Sequence, residues 1–169
     1  LILNTKNAND SLGATVLTII KGAPAGLGEV LYNKLDAALA SAMMGINGVK
    51  GVEIGDGINV ATMLGSQNND FMDKNGFKSN HCGGILGGIS NGNDIVIKSY
   101  FKPTPSIFKA QPTINLDGNE VICELRGRHD PCIGVRGSVV ATAMARLVIA
   151  DMLLLNASAN LNNLKRIYR

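Results

Sequence analysis

Gly127 to Asp151 reads GRHDPCIGVRGSVVATAMARLVIAD, with Arg128, His129, Asp130, Cys132 and Arg136 gathered just before a long apolar run. If Arg128-His129-Asp130 is extended, alternation sends Arg128 and Asp130 to one face, with Cα atoms roughly 6.6 Å apart, and His129 to the other. A cation and a carboxylate then look into the same volume. The residues alone also allow a simpler reading, in which Asp130 caps the coming helix and Pro131 takes its first position.

The apolar run predicts a helix starting near Ser138. Val140, Ala143, Met144, Leu147, Val148, Ile149, Leu153 and Leu154 surround it, and only Arg146 and Asp151 are charged as far as Leu155. A helix apolar on every side is buried on every side. A chain of 169 residues hardly covers it alone, so a second layer or a subunit interface is expected to do so. After Asn156 the sequence turns polar, which predicts a frayed or surface-helical tail.

Upstream, Ala14 to Ile20 reads as a strand, and Gly22 to Gly28 as a turn or loop. Apolar residues recur at threes and fours from Val30 to Met44, which predicts an amphipathic helix closed by Gly45. Val49 to Ile54 reads as a short strand, and residues 65 to 80 as a flexible polar surface loop. Five glycines fall between Gly83 and Gly92. Such density means close approach to the backbone, by a flat ring or another backbone, unless it builds only a bulged hairpin. Ile95 to Phe101 alternates as a strand and delivers Lys102-Pro103-Thr104-Pro105-Ser106. That stiffened loop carries one cation and two hydroxyls, a grip for phosphate or an ordinary turn.

Composition narrows the class. With 46% hydrophobic and 17% charged residues, the chain can bury a core, and a single domain is expected. The net charge of +3 is scattered, and four Phe, three Tyr and no Trp leave little to stack on bases, which argues against nucleic acid. No apolar run is read as long enough to span a bilayer, and the start does not resemble a signal peptide. Cys82, Cys123 and Cys132 show no metal-ligand spacing and read as reduced packing thiols. The start lacks an initiator Met, which is expected of a piece of a longer protein.

The segment GRHDPCIGVR resembles the C-terminal signature of chorismate synthases, approximately G-R-x-D-P-(C/S/T)-x-x-x-R. Lys21 to Gly28, Val49 to Gly57 leading to Gly65-Ser66, and Ser79 to Ser90 followed by Lys102-Pro103-Thr104 resemble the same family in the same order, so the likeness spans residues 13 to 155. It implies an α+β fold, a β-α-β sandwich with helices enclosed between antiparallel sheets. It also implies that residues 1 to 169 are the C-terminal portion of a longer enzyme, whose other half carries a Gly-Glu-Ser-His-Gly motif, several arginines and a second histidine.

By the same resemblance the activity is a lyase reaction. Phosphate leaves 5-enolpyruvylshikimate-3-phosphate by anti-1,4-elimination to give chorismate, with reduced FMN and no net redox change. NADPH through a built-in activity, or an outside reductase, would supply reduced flavin. The resemblance assigns Asn47, Gly48, Gly87, Lys102, Pro103, Thr104, Pro105, Ser106 and Arg128 to the cofactor. It assigns Arg128, Asp130 and Arg136 to substrate, and Arg128 and Asp130 to catalysis, with Asp130 near flavin N5. It implies a cytoplasmic homotetramer with no metal, nucleic-acid or membrane partner. Val139 and Thr142 stand where the family usually has Pro and Glu. Neither His81 nor His129 is assigned to catalysis. Three functions follow as expectations: half of the lyase, inactive alone; an FMN-binding module; or an assembly domain built on the apolar helix.

Overall fold

The computed structural model describes residues 1–168. Its centre is a three-stranded antiparallel sheet in the order β1-β7-β2, built from β1 (Ala14–Ile20), β2 (Val49–Ile54) and β7 (Ile95–Phe101). Strand β7 lies in the middle and alternates strictly. Ile95, Ile97, Ser99 and Phe101 point inward and are buried, whereas Val96, Lys98 and Tyr100 face outward. Val16 and Val52 lie on either side of Ser99, and Thr18 and Ile54 on either side of Ile97, so one face of the sheet is continuous. A register shift between Val49 and Gly51 lets Lys50 bulge out of the β2 ladder.

Two helices cover that face: α2 (Leu35–Met44) lies over β2, and α4 (Gly134–Ser158) over β1. The α2 helix buries Leu35, Leu39 and Met43 completely and ends at Gly45 as its pattern predicts. It begins five residues later than the periodicity suggests. Lys34 is extended, Val30, Leu31 and Tyr32 are exposed, and the Leu35 N–H donates to the Gly88 carbonyl at 2.8 Å. Leu31 shares Leu35's spacing by coincidence, because the first free N–H of the helix is claimed by a hairpin elsewhere in the chain.

Helix α4 starts at Gly134, four residues ahead of the sequence expectation. Its buried stripe is made of small residues, Gly134, Gly137, Ala141 and Ala145, with Met152 farther along. A methyl group added at Gly137 would stand 2.6 Å from the Phe101 ring, so the bare backbone lets the helix close on that side chain at the end of β7. Its outer face carries Val135, Val139, Leu147 and Leu154, all exposed. The expectation that no segment is long enough to span a bilayer is corrected here. These 25 residues, with a mean hydropathy of 1.9 over their most apolar window, pass that test by length and composition. Its small-residue stripe packs on β1 and α2, so the rest of the chain covers that side of the helix.

The remaining elements are short: α1 (Ile2–Asn7), a 3₁₀ turn (Gly57–Thr62), the one-turn α3 (Gly65–Asn68), the hairpins β3–β4 (Met72–Asp73, Gly76–Phe77), β5–β6 (Ile85–Leu86, Ile89–Ser90) and β8–β9 (Gln111–Ile114, Glu120–Cys123), and α5 (Leu161–Ile167). The class is α+β, with helices and antiparallel strands as expected. Residues 65–80 carry α3 and the β3–β4 hairpin. The β8–β9 hairpin went unread in the sequence, although Asp117-Gly118 at its tip is a turn signal.

Candidate functional site

The C-terminal end of α2, the turn after it, the end of β7 and the start of α4 meet around an open cleft of about 900 Å³. Its floor is apolar, formed by Phe101, Ile133, Val140 and Met144, and its polar rim includes Asn47, Lys102, Asp130 and Arg136. Gly48 lines the cleft at φ +91, and a Cβ there would stand 2.6 Å from Ile133 Cδ1. The left-handed backbone is what favours glycine there, since the Ile133 methyl ends a flexible side chain that could shift. The Lys102 N–H donates to the Gly48 carbonyl at 2.8 Å, tying the two sides of the rim together.

Asp130 lines this rim, and cations hold its carboxylate. Arg136 Nη1 donates to Oδ2 at 2.9 Å, and Arg128 Nη2 lies 3.8 Å from Oδ1. The hydrogen bond from Arg136 holds the carboxyl below the usual carboxylate range. Burial opposes it, and the charges of Arg136, Arg128 and His129 add to it. The capping alternative fails. The N-cap of α4 is Ile133, with no side-chain cap bond, and Asp130 stands three residues before it. The alternation holds without a strand. Arg128 and Asp130 share a side, while the His129 ring packs on Phe108 with centroids 5.7 Å apart. Arg128 itself does not line the cleft and projects into solvent.

The loop after Lys102 supports Asp130 rather than the cleft, which none of Pro103, Thr104, Pro105 and Ser106 lines. Thr104 Oγ1 donates to the Asp130 carbonyl at 2.8 Å. Pro103 packs near Gly13, the Pro105 carbonyl accepts the Ile107 N–H at 3.1 Å, and Ser106 lines a small pocket behind Asp130 with Phe108 and His129. Two residues overlooked in the sequence complete this support. Ser11 Oγ donates to the Thr104 carbonyl at 2.6 Å, and the Leu12 N–H donates to the Pro131 carbonyl at 2.7 Å. No local signal could have found them, because Ser11 and Thr104 are 93 positions apart. Thr142 satisfies its hydroxyl on the Ser138 carbonyl, 2.9 Å away and one turn back.

The glycine-rich stretch turns out to accommodate backbone. Gly87 and Gly88, with φ +62 and +88, form the two-residue turn between β5 and β6, the left-handed pair such a tight hairpin requires. A Cβ at Gly84 would meet the Asp94 carbonyl at 2.6 Å. Gly87 has open space around it and does not line the cleft. It sits beside the N-terminus of α2, whose ten residues, about 15 Å at the usual helical rise, separate it from Asn47 and Gly48.

Asp70 anchors the polar segment to this stretch, accepting Ser79 Oγ and the His81 N–H at 2.7 Å and the Cys82 N–H at 3.0 Å. Burial pushes its carboxyl up, but hydrogen bonds from Cys82, Ser79 and His81 outweigh that and hold it well below the usual range. His81 Nδ1 lies 2.7 Å from Asp56 Oδ2, and neither residue lines the cleft.

Residues 1–154 match the family model described as chorismate synthase. Over 168 residues the chain is 78% identical to a chorismate synthase of Campylobacter fetus, covering 99% of this chain and 47% of that protein. It is 65% identical to the chorismate synthase of Campylobacter jejuni, covering 99% and 46%. A solved structure titled "Crystal Structure of Chorismate Synthase" superposes with a TM-score of 0.73 at 32% identity, over 90% of this chain and 40% of that one. The chain thus spans about half the length of the curated relatives it matches.

Proposed function

The chain belongs to the chorismate synthase family, and from that premise we propose that it supplies the cleft-bearing half of a lyase that eliminates phosphate from 5-enolpyruvylshikimate-3-phosphate to give chorismate. The observation that carries this reading is an ionised Asp130 beside Arg128 and Arg136, at the rim of an apolar cleft bordered by Gly48 and Lys102.

The residues present suit reduced FMN. Phe101, Ile133, Val140 and Met144 offer a flat apolar floor. Gly48 brings bare main chain to the cleft wall, and Lys102 offers a cation to a phosphate. When bound, the flavin supplies the electronic chemistry of the elimination. Asn47, Gly48 and Lys102 would hold it, with Pro103 to Ser106 stiffening the loop. Gly87, at the far end of α2, is kept as a cofactor contact on the family resemblance alone.

The reaction removes a proton and a phosphate from one substrate and forms a double bond, so no oxidant is consumed. Arg128, exposed and outside the cleft wall, is free to take a substrate carboxylate or phosphate bidentately and to stabilise charge on the departing phosphate. Asp130, kept anionic by its neighbours, orients or accepts a proton at the cofactor edge. NADPH as the flavin reductant, a cytoplasmic location and a homotetramer belong to the same proposal. So does the expectation that the chain is inactive without the other half of its relatives' length, which would also cover the outer face of α4.

The test uses the full-length protein with reduced FMN and 5-enolpyruvylshikimate-3-phosphate, following chorismate absorbance and phosphate release. Turnover is expected, with Asp130→Asn lowering kcat by about 100-fold or more, the range of a lost acid–base group. Turnover by residues 1–169 alone would contradict the shared site. Flavin binding without elimination in the full-length protein would leave only a binding module, and a stable monomer in sedimentation would remove the tetramer.

A further inference from the structure

Protein groups hold Asp130 at both its carboxylate and its main-chain carbonyl. Arg136 Nη1 holds carboxylate Oδ2 at 2.9 Å, and Thr104 Oγ1 holds the main-chain carbonyl at 2.8 Å. Ser11 Oγ in turn fixes the Thr104 carbonyl at 2.6 Å, while the Leu12 N–H fixes the Pro131 carbonyl at 2.7 Å. The carboxylate is therefore aimed by α4, and the backbone it grows from is pinned by two segments remote in sequence.

We propose that Arg136 is a positioning residue for Asp130 rather than a substrate ligand, and that the Ser11–Thr104 hydroxyl pair positions the same carboxylate from behind. The inference rests on the lyase reading above and divides labour between two arginines that the resemblance both assigns to substrate. Arg136 lines the cleft with its guanidinium already donating to Asp130. Arg128 stands off at 3.8 Å, outside the cleft wall. A substrate anion on Arg136 would share the guanidinium whose Nη1 already holds Asp130, whereas one on Arg128 leaves that hydrogen bond intact. Ligand filling the cleft would expel solvent and strengthen the Arg136–Asp130 attraction.

The charged and titratable groups around Asp130 are Arg136 from α4, Arg128 and His129 from its own segment, Lys102 across the cleft, and Lys6 and Asp10 in the small pocket behind. Arg136 is the largest influence lowering its carboxyl. Its loss raises the Asp130 pKa, so activity that needs the anion falls off at a higher pH.

The experiment compares Arg136→Gln, Arg136→Lys, Thr104→Val, Ser11→Ala and Asp130→Asn in the full-length protein, with circular dichroism to confirm folding. Arg136→Gln should lower kcat roughly 10- to 100-fold, the scale of a misplaced catalytic group, leave KM for the phosphorylated substrate unchanged and move the acid limb of the kcat profile to higher pH. Arg136→Lys should recover part of both, since it keeps the charge and loses the planar fork. Thr104→Val and Ser11→Ala should lower kcat less, with the acid limb in place. A raised KM with unaltered kcat and acid limb in Arg136→Gln would make Arg136 a substrate ligand and overturn the assignment, as would wild-type behaviour of that variant while Asp130→Asn is impaired. Full activity in Asp130→Asn would also overturn it. No turnover by the unsubstituted protein would instead remove the lyase reading itself.

Discussion

Helices α2 and α4 are both apolar, lie side by side on one sheet, and use their residues in opposite ways. Helix α2 buries its large side chains, Leu35, Leu39 and Met43, between β2 and α4. Helix α4 turns Gly134, Gly137, Ala141 and Ala145 to the protein and leaves Leu147 and Leu154, 64% and 72% exposed, outside. The first is a finished core element. The second is close-packed on one side and apolar on its exposed side as well. Hydrophobic character alone therefore does not say which side of a helix is inside; the size of the residues and the room available decide it.

The strongest test of the contrast is Leu39→Ala. It removes a fully buried side chain and should cost about 2–5 kcal/mol, read as a lower urea midpoint of the isolated chain. Gly137→Ala should follow at about 1–3 kcal/mol, the range of overpacking, because its methyl meets the Phe101 ring; an unchanged midpoint would mean α4 does not close on Phe101 so tightly. Asp70→Asn should cost roughly 1–3 kcal/mol by disordering donors to a part-buried carboxylate. Faster hydrogen exchange at the His81 and Cys82 amides would be its signature.

The pH dependence at Asp70 has a definite sign. A carboxyl lowered on folding contributes stability that is fully present above its unfolded value, about 3.9, and is lost as pH falls toward the lower folded value. Wild type should therefore lose this contribution on acidification below about pH 4, and Asp70→Asn should lack that loss. The smallest effect is expected of Leu147→Ala, within about 0.5 kcal/mol in the isolated chain, and a distinctly larger cost in the full-length protein would show that the outer face of α4 becomes covered there. Equal costs for Leu39→Ala and Leu147→Ala in the isolated chain would erase the distinction between the helices.

Strand β7 was legible because it alternates over seven residues, β1 because it is β-branched and apolar, and the end of α2 because Gly45 stops it. The start of α2 was not, since the carbonyl of Gly88 sets it from outside the helix. In the site, Arg128, Asp130 and Arg136 were legible as a cluster, and the same-side placement of Arg128 and Asp130 followed from local geometry. The pairing of Arg136 with Asp130, and the help of Ser11, Leu12 and Thr104, were not, because a residue's type carries no record of which remote hydroxyl or amide will meet it.

By itself, the sequence determined whatever depends on neighbours along the chain: the period-two strands, the left-handed glycine turn, and an acid two positions from a guanidinium. Only the tertiary structure decided that β7 lies between β1 and β2, that α4 rests on its smallest residues, and that Asp130 looks into the cleft with Arg136 beside it. The reason is physical. Backbone preferences act over a few bonds, whereas packing and hydrogen bonding act through space between segments whose separation in the chain places no bound on their contact.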